Sequence, residues 1–197
     1  MRKTRGRILV IRGGAIGDFI LTLPAISALR RQFPEAHLEV LGYPHIAQLA
    51  TLGGLVDRVQ PIEARELAGF FARHGSLDPG TVDYIAGFDI IVSYLFDPDL
   101  IFQTNVARCS RAQFIQGPHR PNESERTHAT QVYLKPLERL AIFDADAWDA
   151  AWQRASTRNT VSLDDYAAEA PRRSAGSTIA RAWGWIERPK SVALSPG

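Results

Sequence analysis

Near the start of the chain, the spacing of apolar residues changes abruptly across a pair of glycines. Ile8 to Ile11 is an unbroken apolar run that reaches Gly13-Gly14 after a single arginine. From Phe19 onward, apolar residues recur at three or four positions: Phe19, Ile20, Leu23, Ile26, Leu29 and Phe33. A short, wholly apolar, β-branched run suits a strand buried on both faces, and the later spacing suits an amphipathic helix. Arg30 and Arg31 fall near the helix end, where the dipole favours cations, and Pro34 stops the helix. Pro24 lies inside it and is expected to kink the first turns. His37 to Tyr43 reads as a second strand, so the opening is one right-handed βαβ unit of a parallel sheet.

The alternation continues. Ile46 to Leu55 reads as a helix, Arg58 to Ile62 as a strand, Ala64 to Arg73 as a helix and Asp89 to Leu95 as a strand. Leu100 to Arg108 follows as a helix, Gln113 to Gln116 as a strand and His128 to Phe143 as a long helix kinked at Pro136. Strands alternating with helices predict an α/β fold, a Rossmann-like doubly wound parallel sheet. Gly117 to Arg126 reads as a polar loop and Asp144 to Ser177 as a connecting region. Ile179 to Ile186 reads as a helix, and Ser191 to Leu194 starts another strand, ending Ser195-Pro196-Gly197. The expected organisation is one domain over residues 1–175, followed at 176–197 by a linker helix and the first strand of a second domain.

Composition narrows the class. With 197 residues, 45% hydrophobic and 22% charged, the chain is neither disordered nor collagen-like. A formal net charge of +2 is too small a surplus to argue for nucleic acid as a partner. Arg2, Lys3, Arg5 and Arg7 make the N-terminus basic, a solvated tail or a peripheral contact with an anionic membrane surface. The apolar run after them is too short for a secretory signal, and no stretch is apolar enough to span a membrane. The single cysteine, Cys109, forms no internal disulfide, which fits a reducing cytoplasm. The five histidines show no metal-ligand spacing, so neither a metal nor a cofactor is expected.

Arg12-Gly13-Gly14-Ala15-Ile16-Gly17-Asp18 holds the chemistry. Glycines between strand and helix allow close approach of backbone to a ligand, and free N–H groups at the helix start favour an anion. The G-x-G-x-x-G dinucleotide frame would need glycine at position 12, so only Gly14 and Gly17 fit it. Its acidic partner would be Glu39, which lies within the second strand rather than at its end. A nicotinamide-dinucleotide oxidoreductase is therefore the weaker alternative. Asp18 has two roles open to it. One is a helix-start carboxylate that accepts backbone N–H bonds, worth about 1 kcal/mol. The other is a general base at the carboxyl edge of the sheet, where open α/β sheets place ligands.

Ile8 to Tyr43, ILVIRGGAIGDFILTLPAISALRRQFPEAHLEVLGY, resembles the opening of glycosyltransferase family 9, the heptosyltransferases of lipopolysaccharide core assembly. The small-residue loop, the Gly17-Asp18 pair and Thr22-Leu23-Pro24 coincide in the family's order. Weaker similarity runs through Asp57-Arg58-Val59, Phe88 to Val92 and His128-Ala129. It returns in Val192 to Gly197, which looks like the strand and turn opening the family's second domain. The resemblance implies the N-terminal, acceptor half of a GT-B transferase, which faces a donor domain across a cleft. It implies Asp18 as catalytic base for inverting transfer from a nucleotide-sugar donor such as ADP-heptose to a glycolipid or oligosaccharide acceptor. Gly13, Gly14, Ala15, Gly17 and Arg65 would contact acceptor, and Ser195, Pro196 and Gly197 would begin the donor site. Here Gly13-Gly14-Ala15 stand where family members often carry serines, and the remaining donor determinants have no counterpart. The 197-residue chain alone is accordingly expected to be inactive. A non-catalytic glycan-binding module of the same fold is the rival reading.

Lesser candidates are Asp97 and Asp99, which flank Pro98 as turn or cap residues, and Arg108, Arg111, His119 and Arg120 as a basic rim. Trp148 and Trp152 are spaced to pack a helix, and Cys109 lacks a nucleophile signature.

Overall fold

The computed structural model describes residues 6–143 apart from 123 and 125. The described chain opens with strand β1 (Arg7–Arg12), helix α1 (Ile16–Gln32), β2 (His37–Gly42), α2 (Pro44–Leu52) and β3 (Arg58–Pro61). A 3-10 helix (Arg65–Phe71) precedes α3 (Pro79–Ala86), β4 (Ile90–Ser93), α4 (Ile101–Ala107), β5 (Gln113–Gln116) and α5 (Ala129–Leu134). A second 3-10 turn, Lys135–Leu140, continues directly from α5.

All strand pairings are parallel, in the order β3-β2-β1-β4-β5. This is the doubly wound α/β sheet that the alternation predicts. β1 is central because its side chains are apolar on both faces. Ile8 and Val10 pack with Phe19, Ile26 and Leu29 of α1, while Leu9 and Ile11 face Phe70, Ile85 and Phe102 on the other side. The chain winds outward from β1 through α1 and α2 to β3, then crosses to β4 on the opposite side of β1. The order therefore reverses between β1 and β4, and a crevice opens at their carboxyl ends.

Four details depart from the sequence reading. The helix expected over Ala64 to Arg73 is only the 3-10 turn Arg65–Phe71. A Cβ on Gly69 would run into the Ser76 carbonyl oxygen, so the backbone after the turn passes close against it there. Helix α3 went unread although it is locally signalled. Asp78 caps it through the Thr81 N–H at 2.8 Å, and Pro79 occupies its first turn. The long helix over His128 to Phe143 is α5 followed by a 3-10 turn, because Pro136 has no N–H to continue the α ladder. Ile20, assigned to the buried stripe of α1, is 49% exposed, and Thr22, Ala25 and Ala28 are buried in its place. Thr22 tolerates burial because its hydroxyl donates to the Asp18 carbonyl at 2.8 Å. Pro24 lies within the continuous span of α1 and is itself buried.

No helix among the described residues is long and apolar enough to cross a membrane. The boundary near residue 175, the expected helix Ile179 to Ile186, the strand at Ser191, and Trp148 and Trp152 lie outside the described residues. So do Arg2, Lys3 and Arg5.

A cleft at the switch point of the sheet

A cleft of about 410 Å³ opens where β1 and β4 end. Its lining comes from the turn after β1 (Arg12, Gly13, Gly14), α1 (Asp18), the end of β2 (Tyr43) and the segment after β3 (Ile62, Glu63, Phe71). Tyr94, Leu95 and Phe96 after β4, with His119 and Arg120 from the polar loop, close the far side.

Asp18 faces this cleft with its side chain 30% exposed. Oδ2 accepts the Ala15 N–H at 3.3 Å, so the carboxylate occupies one of the free donors at the start of α1. Gly14 makes that placement possible. Its φ of +101° is open to glycine, and a Cβ there would sit 2.9 Å from Asp18 Oδ2. Gly17 is different: a Cβ would meet nothing within 4 Å. The need for glycine in this loop therefore falls on Gly14.

Arg12 is the residue that sequence reasoning underrated, since there it counted only as a missing glycine. It is 3% exposed and lies directly beneath the cleft. Nη1 donates to the carbonyls of Tyr94 at 3.2 Å and His119 at 2.8 Å. Nη2 donates to the Tyr133 hydroxyl at 3.0 Å and the Asp18 carbonyl at 3.4 Å, and lies 3.7 Å from Asp18 Oδ1. The guanidinium also stacks over the Tyr133 ring, 4.7 Å from its centroid. One side chain thus ties β1, β4, the polar loop, α5 and the cleft carboxylate together. Nε of Arg12 is buried with no hydrogen-bond partner. An arginine ending an apolar strand is the only sequence signal for this role.

Aromatic side chains form most of the remaining wall. Phe96 stacks against His119 with centroids 4.5 Å apart, and Phe71 against Phe102 at 5.0 Å. The Tyr94 hydroxyl donates to the Tyr133 carbonyl at 2.7 Å, and complete burial pushes its ionisation well above the ordinary tyrosine value.

Of the sequence-derived site residues, Gly13, Gly14 and Asp18 line the cleft, and Ala15 reaches it through its bond to Asp18. Arg65 is exposed at the start of the first 3-10 turn and is not among the lining residues. The basic rim divides. His119 and Arg120 line the cleft, whereas Arg108 is spent on the Gly75 carbonyl and Asn105 Oδ1 beside a separate hollow. Asp97 caps α4 by accepting the N–H groups of Phe102 and Gln103, and Asp99 pairs with Arg73 at 3.3 Å. Ser195, Pro196 and Gly197 lie outside the described residues. Among the described residues, no group of three or more His, Cys, Asp or Glu side chains is arranged to hold a metal ion.

The geometry also bears on the dinucleotide alternative. Glu39 is fully buried and accepts from Arg7 Nη2 at 3.1 Å and the Tyr84 hydroxyl at 3.1 Å, with His37 Nε2 at 2.8 Å. It lies toward the amino end of β2, away from the crevice, and cannot hold a ribose. One donor at the start of α1, the Ala15 N–H, is already taken by the Asp18 carboxylate, whose negative charge disfavours a pyrophosphate beside it.

No family model and no curated protein sequence matches the chain. Solved structures do. A glycosyl transferase family 9 structure from Veillonella parvula DSM 2008 matches at TM-score 0.50 and 17% identity, over 74% of this chain and 44% of that one. E. coli heptosyltransferase WaaC with ADP matches at TM-score 0.47 and 15% identity, over 68% of this chain and 46% of that one. The chain spans less than half the length of each of these structures. Its Rossmann-like sheet is therefore similar in fold to part of a glycosyl transferase family 9 structure, as the residues of the β1–α1 loop imply.

Proposed function

We propose that the chain is the acceptor-binding half of an inverting glycosyltransferase of the heptosyltransferase type. The observation that carries this reading is the Asp18 carboxylate. It is presented to a cleft at the switch point of the sheet and oriented by the Ala15 N–H and the buried Arg12 guanidinium. In the proposed step, an acceptor hydroxyl attacks the anomeric carbon of a nucleotide sugar such as ADP-heptose. The bond to the nucleotide diphosphate breaks on the opposite face, and Asp18 takes the hydroxyl proton. Positive charge developing on the sugar makes that hydroxyl more acidic during attack, so a carboxylate suffices as base. Asp18 thereby combines the helix-start role with the catalytic one, since one oxygen is anchored while the side chain stays open to the cleft.

The acceptor in this reading is a glycolipid or oligosaccharide of the lipopolysaccharide type, handled in the cytoplasm or at the inner face of a membrane. The donor belongs to a second domain, for which Ser195, Pro196 and Gly197 are the proposed beginning. A non-catalytic glycan-binding module is the second reading. The aromatic residues of the wall support it equally, because Tyr43, Phe71 and Phe96 line the cleft and aromatic side chains suit sugar C–H groups whether or not transfer follows.

Transfer from ADP-heptose and other nucleotide sugars to glycan acceptors separates the two. The 197-residue chain is expected to bind acceptor without turnover. The chain joined to a nucleotide-sugar-binding domain is expected to turn over and to lose at least about a hundredfold in kcat on Asp18→Ala. Retention of kcat within about tenfold, near 1.4 kcal/mol in barrier, would leave Asp18 as a cap only.

A further inference from the structure

Beside α4 a second hollow, of about 300 Å³, shares no lining residue with the cleft. Its walls bring two guanidinium groups, Arg73 and Arg108, and the His74 ring together with one carboxylate, Asp99. Asp99 is already paired with Arg73 at 3.3 Å, which leaves the charge of Arg108 without a counter-ion among the described residues. Arg108 is held in place all the same. Its Nη1 donates to the Gly75 carbonyl at 3.0 Å and to Asn105 Oδ1 at 2.9 Å. Both acceptors are neutral, so they orient the guanidinium and leave its charge whole, while Nε and Nη2 make no bond among the described residues. Asn105 is itself fixed, being 3% exposed and donating from its amide nitrogen to the carbonyls of Phe70 at 3.0 Å and Ala72 at 2.9 Å. Backbone strain gathers at the same place. Of three described non-glycine residues in the left-handed region, two, His74 and Leu100, lie in the segments that border this hollow, both at a φ of 54°.

We propose that this hollow binds an oxyanion, the phosphate or carboxylate of a small molecule, with Arg108 as its main contact. The proposal does not rest on the transferase reading, since the hollow and the cleft have no residue in common. A guanidinium grips phosphate or carboxylate through two parallel N–H donors, and Arg108 keeps such an edge, Nε with Nη2, unused. An arginine free in solvent loses side-chain freedom when a ligand orders it; Arg108 is ordered beforehand by a buried amide. The Thr104 hydroxyl and the His74 ring line the same walls and add further donors. The volume falls at the lower end of small-molecule sites, which suits an organic anion of modest size. Asp99 opposes such a ligand, so its charge lowers the affinity of the site.

The test titrates the 197-residue chain with inorganic phosphate and with acetate, at constant ionic strength in chloride, while amide NMR shifts are followed. Saturable shifts at residues 73–75 and 99–108 are expected. Their absence, or equal shifts with chloride alone, would overturn the site. Phosphate saturating first supports a phosphate ligand, and acetate saturating first supports a carboxylate. Arg108→Gln is expected to weaken binding at least about tenfold, and Arg111→Gln, exposed and outside the hollow, to leave it within about twofold. Equal losses in these two variants would reduce the effect to general surface charge and overturn the role of Arg108. Asp99→Asn is expected to tighten binding at least about threefold, by removing a like charge from the wall. A chain that fails to fold cannot bind more tightly, so this variant decides the matter even where Arg108→Gln is unstable. Unchanged or weaker binding by Asp99→Asn would overturn the proposal.

Discussion

The guanidinium of Arg12, with a side chain only 2% exposed, lies 3.7 Å from Oδ1 of Asp18, so the carboxylate facing the cleft is backed by a charge that solvent does not reach. The same guanidinium donates to two backbone carbonyls, that of Tyr94 just after β4 and that of His119 in the loop after β5. The architecture of the cleft and the orientation of its carboxylate therefore depend on one side chain.

Replacing Arg12 with methionine keeps the bulk and removes the donors. The buried Tyr94 carbonyl then loses its Arg12 partner and the half-buried His119 carbonyl keeps only the Tyr133 hydroxyl at 3.5 Å, so the expected loss of stability in urea denaturation is about 2–4 kcal/mol. Lysine should recover only part of this, because an ammonium cannot reproduce the planar fork that reaches β4, the loop and α5 at once. A methionine variant within about 0.5 kcal/mol of the parent would show that the clamp contributes little.

Gly14 and Gly17 should respond oppositely to alanine. At Gly14 the new methyl meets Asp18 Oδ2 at 2.9 Å, and φ is +101°, so a loss of about 1–3 kcal/mol and a displaced Asp18 are expected. At Gly17 nothing lies within 4 Å, and helix propensity predicts a gain of up to about 1 kcal/mol. Thermal melts of the two variants check this; equal effects would refute the distinction.

Asp57 links stability to acid. Partial burial, the largest influence, pushes its carboxyl upward. The Leu38 N–H at 2.8 Å, Arg30 at 2.6 Å and the charge of His37 outweigh it, so the net displacement is below the ordinary 3.8. The unfolded chain then takes up the proton first as pH falls. The contribution of Asp57 is fully present above 3.8 and is lost as pH drops through the lower folded value. Asp57→Asn should therefore flatten the acid limb of the stability profile, modestly because the side chain is 44% exposed. An unchanged acid limb in denaturant titrations at pH 2 to 5 would contradict it.

Cys109 should be a slow thiol. Burial pushes its ionisation up, with Arg108 opposing, and its Sγ points at the Val106 carbonyl at 3.4 Å. Reaction with a disulfide reagent at neutral pH is expected to be at least about tenfold slower than that of a free thiol. A rate equal to the free thiol would overturn this.

The sheet and its order of elements were legible in the sequence because β1 is apolar at every interior position and α1 repeats at helical spacing. Period alone separates a two-sided strand from an amphipathic helix. Asp97 as a cap and Gln113 to Gln116 as a strand were equally local facts, written in residues next to one another. Helix α3 was just as local and was missed, although Asp78 and Pro79 announce it. Arg12 was not legible, since its partners at positions 94, 119 and 133 come together only when β4, the polar loop and α5 fold around it. Nor was the absence of Arg65 from the cleft lining, which depends on where the segment after β3 runs in the fold. By itself the sequence determined which segments are strands and helices and placed a carboxylate after the first glycine turn. Tertiary structure alone decided what that carboxylate faces, because a cleft is made of residues far apart in the chain whose charges matter only once they share one volume.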